Sequence, residues 1–272
     1  MTRDRYTEAH TPRIHYQDRG CGPTLLVLNG WSGSGLIWPD AWLERLEGSF
    51  RLLLVDNRGT GHSERAEAPF TMKDQAKDAV AVLDEAGVDA AYVFGLSMGG
   101  MIAQTVAVEF PERVRGLVLC ATTAGVALGV PAPPEILVAL ATPPTGRSRR
   151  ELLGHAWQLI AAPGFVERHP ARFDALVDKL AVKPTEFGVI ALQLQAITGF
   201  GYQSADLGAI RVPTLVVHGD LDPLIPVENA AILADAIPGA RLEIFLGVGH
   251  LVADEAPDEL ATMIEEFLLR LE

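Results

Sequence analysis

The sequence predicts an α/β protein with a mainly parallel, doubly wound sheet and an inserted helical segment. Six short runs of β-forming residues are mostly apolar along their length, as expected of strands covered on both faces. They span residues 24–28, 51–55, 90–94, 114–119, 214–218 and 241–246. Helical patterns separate most of these runs, and such alternation is typical of parallel sheets with helices on both sides.

The segment 71–86 has the clearest helical pattern. Thr71 and Asp74 resemble a capping pair at its start. Its apolar residues recur at helical spacing, at Met72, Ala76, Ala79, Val80 and Leu83. A second apolar stripe runs through residues 260–271 and predicts a helix at the end of the chain.

The alternation stops between residues 126 and 207. Five prolines occur in its first part, and helical patterns follow around 152–160, 173–180 and 186–197. We interpret residues 1–125 and 208–272 as the core and 126–207 as a helical cap. Because ligands of open α/β sheets bind beyond the carboxyl ends of the strands, we expect a lid there, although extra surface helices are the alternative.

Composition limits the classes of function. The 272 residues are 49% hydrophobic and 21% charged, which is a globular composition. A net charge of −13 argues against nucleic acid as a partner. Cys21 and Cys120 are too few for a disulfide framework or a zinc site. Without an apolar leader or membrane span, we expect a cytoplasmic protein with a small-molecule substrate and neither metal nor cofactor.

The pentapeptide Gly95-Leu96-Ser97-Met98-Gly99 lies between a predicted strand and a predicted helix. A serine hydroxyl is a poor nucleophile, so catalysis needs it at an exposed, strained turn near a base and near backbone donors. Glycines on either side let the strand and the helix approach closely. The order of strand, turn and helix makes Ser97 a candidate nucleophile.

Candidates for a base and an acid follow two later strands. His250, in Gly249-His250, is the one histidine in a glycine-flanked loop between the last strand and the final helix. Asp220 and Asp222 follow the strand at 214–218 and compete for the role of the acid. A buried carboxylate would fix the imidazole tautomer, whereas Asp220 could instead close its own turn. We interpret His218 as a structural residue at the strand end.

These motifs resemble the α/β-hydrolase fold over nearly the whole chain. The similarity includes the serine turn 95–99, the loop 219–226 with Asp222, the loop 249–250, and the segment 56–63 after an early strand. The resemblance implies that Asp222 is the acid, that His250 is the base and that 126–207 is a cap. It also places an oxyanion hole at the backbone N–H groups of Met98 and of a residue in loop 29–35, for which Trp31 is the candidate. Many relatives have His-Gly where this chain has Asn29-Gly30.

The implied chemistry is acyl transfer. His250 accepts the proton of Ser97 as Ser97 attacks a carbonyl, and water then releases an acyl-enzyme. We expect a carboxylesterase. Lactone or enol-lactone hydrolysis, carbon-carbon bond hydrolysis and cofactor-free perhydrolysis stay open, and a non-catalytic receptor of the same fold is a further alternative. A serine nucleophile disfavours haloalkane dehalogenases and epoxide hydrolases, which use a carboxylate.

Aromatic and apolar residues of the insertion indicate an apolar substrate. We expect the pocket among Trp31, Leu128, Leu137, Trp157, Phe165, Phe200 and Tyr202. Each could equally belong to the core of the cap. Arg58 could bind a substrate carboxylate or be tied to nearby backbone.

Overall fold

A computed structural model describes residues 2–272, which form one eight-stranded sheet with helices on both faces. The strands are β1 (Arg3–Tyr6), β2 (His15–Gly20), β3 (Thr24–Leu28), β4 (Arg51–Val55), β5 (Ala91–Leu96), β6 (Val114–Cys120), β7 (Thr214–Gly219) and β8 (Arg241–Phe245). Their order across the sheet is β1-β2-β4-β3-β5-β6-β7-β8. The strands β3 to β8 pair in parallel, while β2 is antiparallel to both β1 and β4. The predicted fold class is confirmed.

Two hydrophobic layers cover the two faces of the sheet. Along β3, Leu26 and Leu28 pack into one layer and Leu25 and Val27 into the other. The helices that pack into the first layer are α2 (Met72–Glu85), α3 (Met98–Glu109) and α10 (Glu228–Ala236). Those that pack into the second layer are α1 (Asp40–Glu47), α11 (Val252–Glu255) and α12 (Pro257–Leu268). Burial on both faces explains why these strands read as continuous apolar runs.

The start of α2 has the expected capping box. The Asp74 N–H donates to Thr71 Oγ1 at 3.2 Å, and the Thr71 N–H donates to Asp74 Oδ2 at 3.0 Å. Two donors that the helix cannot satisfy internally are thereby paired.

Between β6 and β7 an isolated bridge pairs Gly125 with Gly201, and the regular elements are six helices. They are α4 (Pro134–Ala141), α5 (Arg149–Gln158), α6 (Phe165–Arg168), α7 (Pro170–Val182), α8 (Phe187–Thr198) and α9 (Ser204–Leu207). The helices α5, α6 and α7 share a small apolar cluster that also takes in Ile37 and Leu251 from the core. This part of the chain therefore packs over the sheet edge where the parallel strands end. No helix within residues 2–272 is long and apolar enough to cross a membrane.

Candidate active site

Ser97 occupies a strained turn between β5 and α3. Its backbone angles are φ 56° and ψ −119°, and a positive φ is uncommon for a residue with a side chain. Two hydrogen bonds hold the turn: the Ser97 N–H donates to Cys120 O at 2.9 Å, and Thr122 Oγ1 donates to Ser97 O at 2.7 Å. Strain of this kind persists only where the surroundings enforce it, and it is typical of functional positions.

The two glycines around Ser97 are needed for close approach. A Cβ on Gly95 would lie 2.3 Å from the carbonyl oxygen of Gly99, and one on Gly99 would lie 2.2 Å from that of Leu28. Either methyl group would push α3 away from the sheet. The pattern of glycines is therefore explained by packing of the helix against β3 and β5.

Asp222 and His250 meet beyond the ends of β7 and β8. The Nδ1 atom of His250 lies 2.8 Å from Oδ2 of Asp222, and both side chains are buried. Since the carboxylate accepts from Nδ1, that nitrogen carries the proton and Nε2 has the lone pair that a general base needs. His250 and Ser97 line the same cavity.

The carboxylate of Asp222 is surrounded by donors. Its Oδ1 accepts from the N–H groups of Leu224 and Ile225, each at 2.9 Å, and its Oδ2 lies near two imidazoles. Burial alone would raise the pKa of Asp222, but the charge of His250 and hydrogen bonds from His218 and His250 outweigh it and lower the pKa below its usual range. Asp222 is therefore ionised at neutral pH, as required to stabilise an imidazolium.

His218 contacts this pair directly, which the sequence analysis did not anticipate. Its Nε2 lies 3.1 Å from Asp222 Oδ2 and 2.9 Å from the carbonyl oxygen of Ile225. Both neighbours are acceptors, so Nε2 carries a proton. His218 is fully buried and contacts the same carboxylate oxygen as His250.

Asp220, the competing acid, has a different partner. Its Oδ1 accepts from the N–H of Gly247 at 2.6 Å. This bond joins the loops that follow β7 and β8. Asp220 thus links two loops and does not close its own turn, and among the described residues only Asp222 pairs with His250.

The two expected oxyanion donors lie beside Ser97. Met98 is the first residue of α3, where a backbone N–H has no partner within the helix. Within residues 2–272, neither the Met98 N–H nor the Trp31 N–H donates a hydrogen bond. Gly30 passes so close that a Cβ there would lie 3.2 Å from Ser97 Cβ and 3.7 Å from its Oγ.

The helix α8 holds the loop that contains Trp31. The indole Nε1 of Trp31 donates to Ile190 O at 2.9 Å, and the Ser32 N–H donates to Gln193 Oε1 at 2.9 Å. Thr185, just before α8, donates from Oγ1 to Ser32 O at 2.8 Å. These bonds fix the loop from the side of the insertion.

The cavity at Ser97 has a volume of about 80 Å³ and is lined mainly by apolar side chains. His250 is the one ionisable side chain among its described lining residues. The lining consists of Gly30, Trp31, Ser32, Ile37, Leu96, Ser97, Leu140, Ala156, Trp157, Ile160, Leu224, His250 and Leu251.

Of the aromatic residues expected in the pocket, the structure brings Trp31 and Trp157 to this cavity. Phe165 instead lies in the apolar cluster of α5 to α7, because its side chain packs between those helices. Phe200 and Tyr202 line a separate cavity of about 620 Å³ against α2 and α3.

The remaining pocket candidates also lie elsewhere. Leu128 packs on the main core, and Leu137 is 47% exposed on α4. Arg58 forms two hydrogen bonds with Asp78, at 2.6 and 2.7 Å, and one with Asp74 O at 3.0 Å. Its guanidinium is therefore hydrogen-bonded to the first half of α2.

Glu255 is a contributor that the sequence analysis missed. Its carboxylate accepts from the N–H groups of Gly249, at 2.8 Å, and Leu251, at 3.2 Å, on either side of His250. An acidic residue near the start of a helix is common, so no local signal distinguishes this one. The only related signal is the glycine-flanked loop 247–250, whose backbone N–H groups would require an acceptor.

Comparison with known proteins places the chain among hydrolases. Residues 23–257 match the family model described as the α/β hydrolase fold. A poly(3-hydroxyalkanoate) depolymerase of Ectopseudomonas oleovorans is 33% identical over 246 residues, covering 90% of this chain and 83% of the relative. A 2-hydroxymuconate semialdehyde hydrolase of Pseudomonas putida is 30% identical over 272 residues, covering 94% of this chain and 90% of the relative. The solved structure of a thermophilic esterase from Thermogutta terrifontis has a TM-score of 0.81 at 27% identity, covering 100% of this chain and 99% of that one.

Proposed function

The chain belongs to the α/β hydrolase fold family, and on that premise we propose that it is a serine hydrolase that cleaves an ester bond through an acyl-enzyme on Ser97. The observation that carries the proposal is the pairing of His250 Nδ1 with Asp222 Oδ2 at 2.8 Å, in a cavity that also contains Ser97. This pairing leaves His250 Nε2 as the nitrogen that can take the Ser97 proton.

The proposed reaction has two steps. His250 accepts the proton of Ser97 Oγ as Ser97 attacks the ester carbonyl, and the N–H groups of Trp31 and Met98 stabilise the tetrahedral oxyanion. His250 then protonates the leaving alcohol. In the second step, His250 activates a water that releases the acid and frees Ser97.

The cavity supports a small, largely apolar substrate. Its lining holds no Lys or Arg side chain among the described residues, and Trp31, Ile37, Trp157 and Leu251 supply apolar surface. A volume of about 80 Å³ fits a short acyl group. We propose that residues 126–207 act as the cap that closes this cavity, since Leu140, Trp157 and Ile160 come from that segment.

Hydrolysis of a carbon-carbon bond is the second candidate. It is favoured by the 30% identity to the 2-hydroxymuconate semialdehyde hydrolase of Pseudomonas putida. The nucleophile and the base would be the same, so the two activities differ in the substrate that the cap admits.

Turnover of short p-nitrophenyl esters tests the proposal. The wild type should hydrolyse p-nitrophenyl acetate or butyrate, with an initial burst of p-nitrophenol where deacylation is slower than acylation. Ser97→Ala should lower kcat by at least ~10³-fold, as expected for loss of a nucleophile. Ser204→Ala, at an exposed position on α9, serves as the matched control.

A panel with lactones, dienone acids and peroxide-dependent halogenation separates the alternatives. Preferred turnover of a dienone acid would move the assignment to carbon-carbon hydrolysis. If wild type and Ser97→Ala were equally inactive on every substrate while a ligand raised the melting temperature of both, the receptor alternative would replace hydrolysis.

A further inference from the structure

The loop that carries His250 is joined to the insertion by a backbone hydrogen bond. The His250 N–H donates to the carbonyl oxygen of Ile160 at 3.0 Å. A Cβ on Gly249 would lie 2.3 Å from the backbone nitrogen of Ala162, so only glycine fits there. Ile160 and Leu251 both line the cavity at Ser97, and this junction therefore forms part of its wall.

Glu255 is the one side chain that bonds to both sides of this junction among the described residues. On the loop side it accepts from Gly249 at 2.8 Å and from Leu251 at 3.2 Å. On the insertion side it accepts from the Ala162 N–H, which lies 3.2 Å from one carboxylate oxygen and 3.3 Å from the other. A single carboxylate thus spans segments that are about ninety positions apart in the chain.

We propose that Glu255 is a positioning residue, which sets the place of His250 relative to Ser97 and couples it to the insertion segment 160–162. The inference rests on the proposed function for its kinetic consequences. Its structural part, the joining of two loops by one carboxylate, holds whatever the substrate is.

The chemistry of the contact requires two acceptor oxygens. Oε2 serves Gly249, Oε1 serves Leu251, and Ala162 shares both. In Glu255→Gln one of these oxygens becomes an NH₂ group, which places a donor against a backbone donor. Burial raises the pKa of Glu255 despite the three N–H groups and the nearby His250, so the fold retains a carboxylate whose ionisation is penalised there.

The test compares three variants of the full chain. Glu255→Gln removes one acceptor at nearly constant shape, Glu255→Asp keeps the charge but shortens the reach, and Glu259→Gln alters an exposed carboxylate on α12 as the control. Hydrogen–deuterium exchange is measured over residues 157–165 and 247–255. Values of kcat and KM are measured with p-nitrophenyl acetate.

We expect Glu255→Gln to speed exchange by about fivefold in both segments together, as for loss of one hydrogen bond. We expect kcat to fall by about 10–100-fold, because small misplacements of a catalytic group are costly, with KM within about threefold. Glu255→Asp keeps the charge, but it should still show faster exchange and a lower kcat than the wild type. If Glu255→Gln fails to fold, Glu255→Asp alone tests the proposal. Glu259→Gln should match the wild type.

Two results would overturn the proposal. Full restoration of kcat by Glu255→Asp would mean that charge, and not placement, is what matters. Faster exchange in 247–255 with unchanged exchange in 157–165 would remove the coupling to the insertion. If instead the wild type hydrolysed no ester, the proposed function would fail while the exchange measurement would still test the contact.

Discussion

Replacing Asp222 with Asn should abolish most of the activity by reversing the tautomer of His250. The carboxylate has four donors: the backbone N–H groups of Leu224 and Ile225 on Oδ1, and the imidazoles of His218 and His250 on Oδ2. The amide of Asn must turn its NH₂ group toward one of these pairs. The backbone cannot change its donors, whereas the imidazole of His250 can move its proton, so the NH₂ group faces the histidines.

The magnitude follows from that geometry. With an NH₂ group opposite Nδ1, where the distance is now 2.8 Å, His250 must accept there and carry its proton on Nε2. Nε2 then cannot accept the Ser97 proton, and a change of this kind costs about 10⁴ in kcat. At 1.36 kcal/mol per tenfold, that is about 5.4 kcal/mol of transition-state stabilisation.

Stability should change with pH in a defined direction. The folded protein lowers the pKa of Asp222, so its ionisation stabilises the fold above the unfolded value of about 3.9. That contribution is lost as the pH falls toward the lowered value. Asp222→Asn should therefore lower the melting temperature at pH 7 by more than it does near pH 3.

The assay is kcat for p-nitrophenyl acetate at pH 8, with melting temperatures from thermal scans. Asp220→Asn is the matched control, because Asp220 bonds to the Gly247 N–H and not to His250. We expect the kcat of that control to stay within about threefold of wild type, because Asn keeps an oxygen that can accept from the Gly247 N–H. A kcat above one tenth of wild type in Asp222→Asn, or an equal loss in Asp220→Asn, would refute the assignment of the acid.

Two further substitutions test other parts of the site. Gly30→Ala should lower kcat by about 10–100-fold, because the new methyl group would lie 3.2 Å from Ser97 Cβ and displace it. Gly188→Ala, where a Cβ meets open space, is the control. Similar kcat values for the two variants would contradict the expectation. Asp254→Asn should raise the melting temperature at pH 8, by about 2–4 °C for each kcal/mol of ionisation penalty that it removes. Burial raises the pKa of Asp254 to about 7, so the wild type loses part of its stability between pH 4 and 7, where the unfolded chain ionises at this residue and the folded chain does not. A gain of the same size at pH 4 and pH 8 would contradict this cause.

The centre of the sheet could be predicted because burial on both faces leaves a signal in its inner strands. Runs such as 24–28 and 90–94 are apolar at nearly every position, and they are followed by Asn29-Gly30 and by Gly95. The first two strands lack this signal. β1 is Arg-Asp-Arg-Tyr and is largely exposed at the sheet edge, and β2 carries Gln17, Asp18 and Arg19, so their pairing depends on contacts with β4 that no local pattern records.

The candidate site, like the sheet, could be predicted only in part. Ser97, Asp222 and His250 each follow a strand, and parallel strands bring such positions to one edge. The pocket was less accessible to sequence reasoning, because an aromatic residue in the insertion predicts burial but not the side on which it is buried. Phe165 and Phe200 are both buried, and both lie away from Ser97. Glu255 is recognisable only once residues 162 and 249 are known to meet.

The bonds from α8 to Trp31 and Ser32 bear on how such a protein could acquire new substrates. An insertion is an obvious part to exchange between relatives, since it lies apart from the strands that carry Ser97, Asp222 and His250. Here the insertion also supplies Ile190 O, the Gln193 amide and the Thr185 hydroxyl to the loop with the proposed oxyanion donor. A chimera that replaced α8 without these three groups would change catalytic rate and selectivity together. Single substitutions at Leu140, Trp157 or Ile160 offer a route to altered selectivity that leaves this support in place.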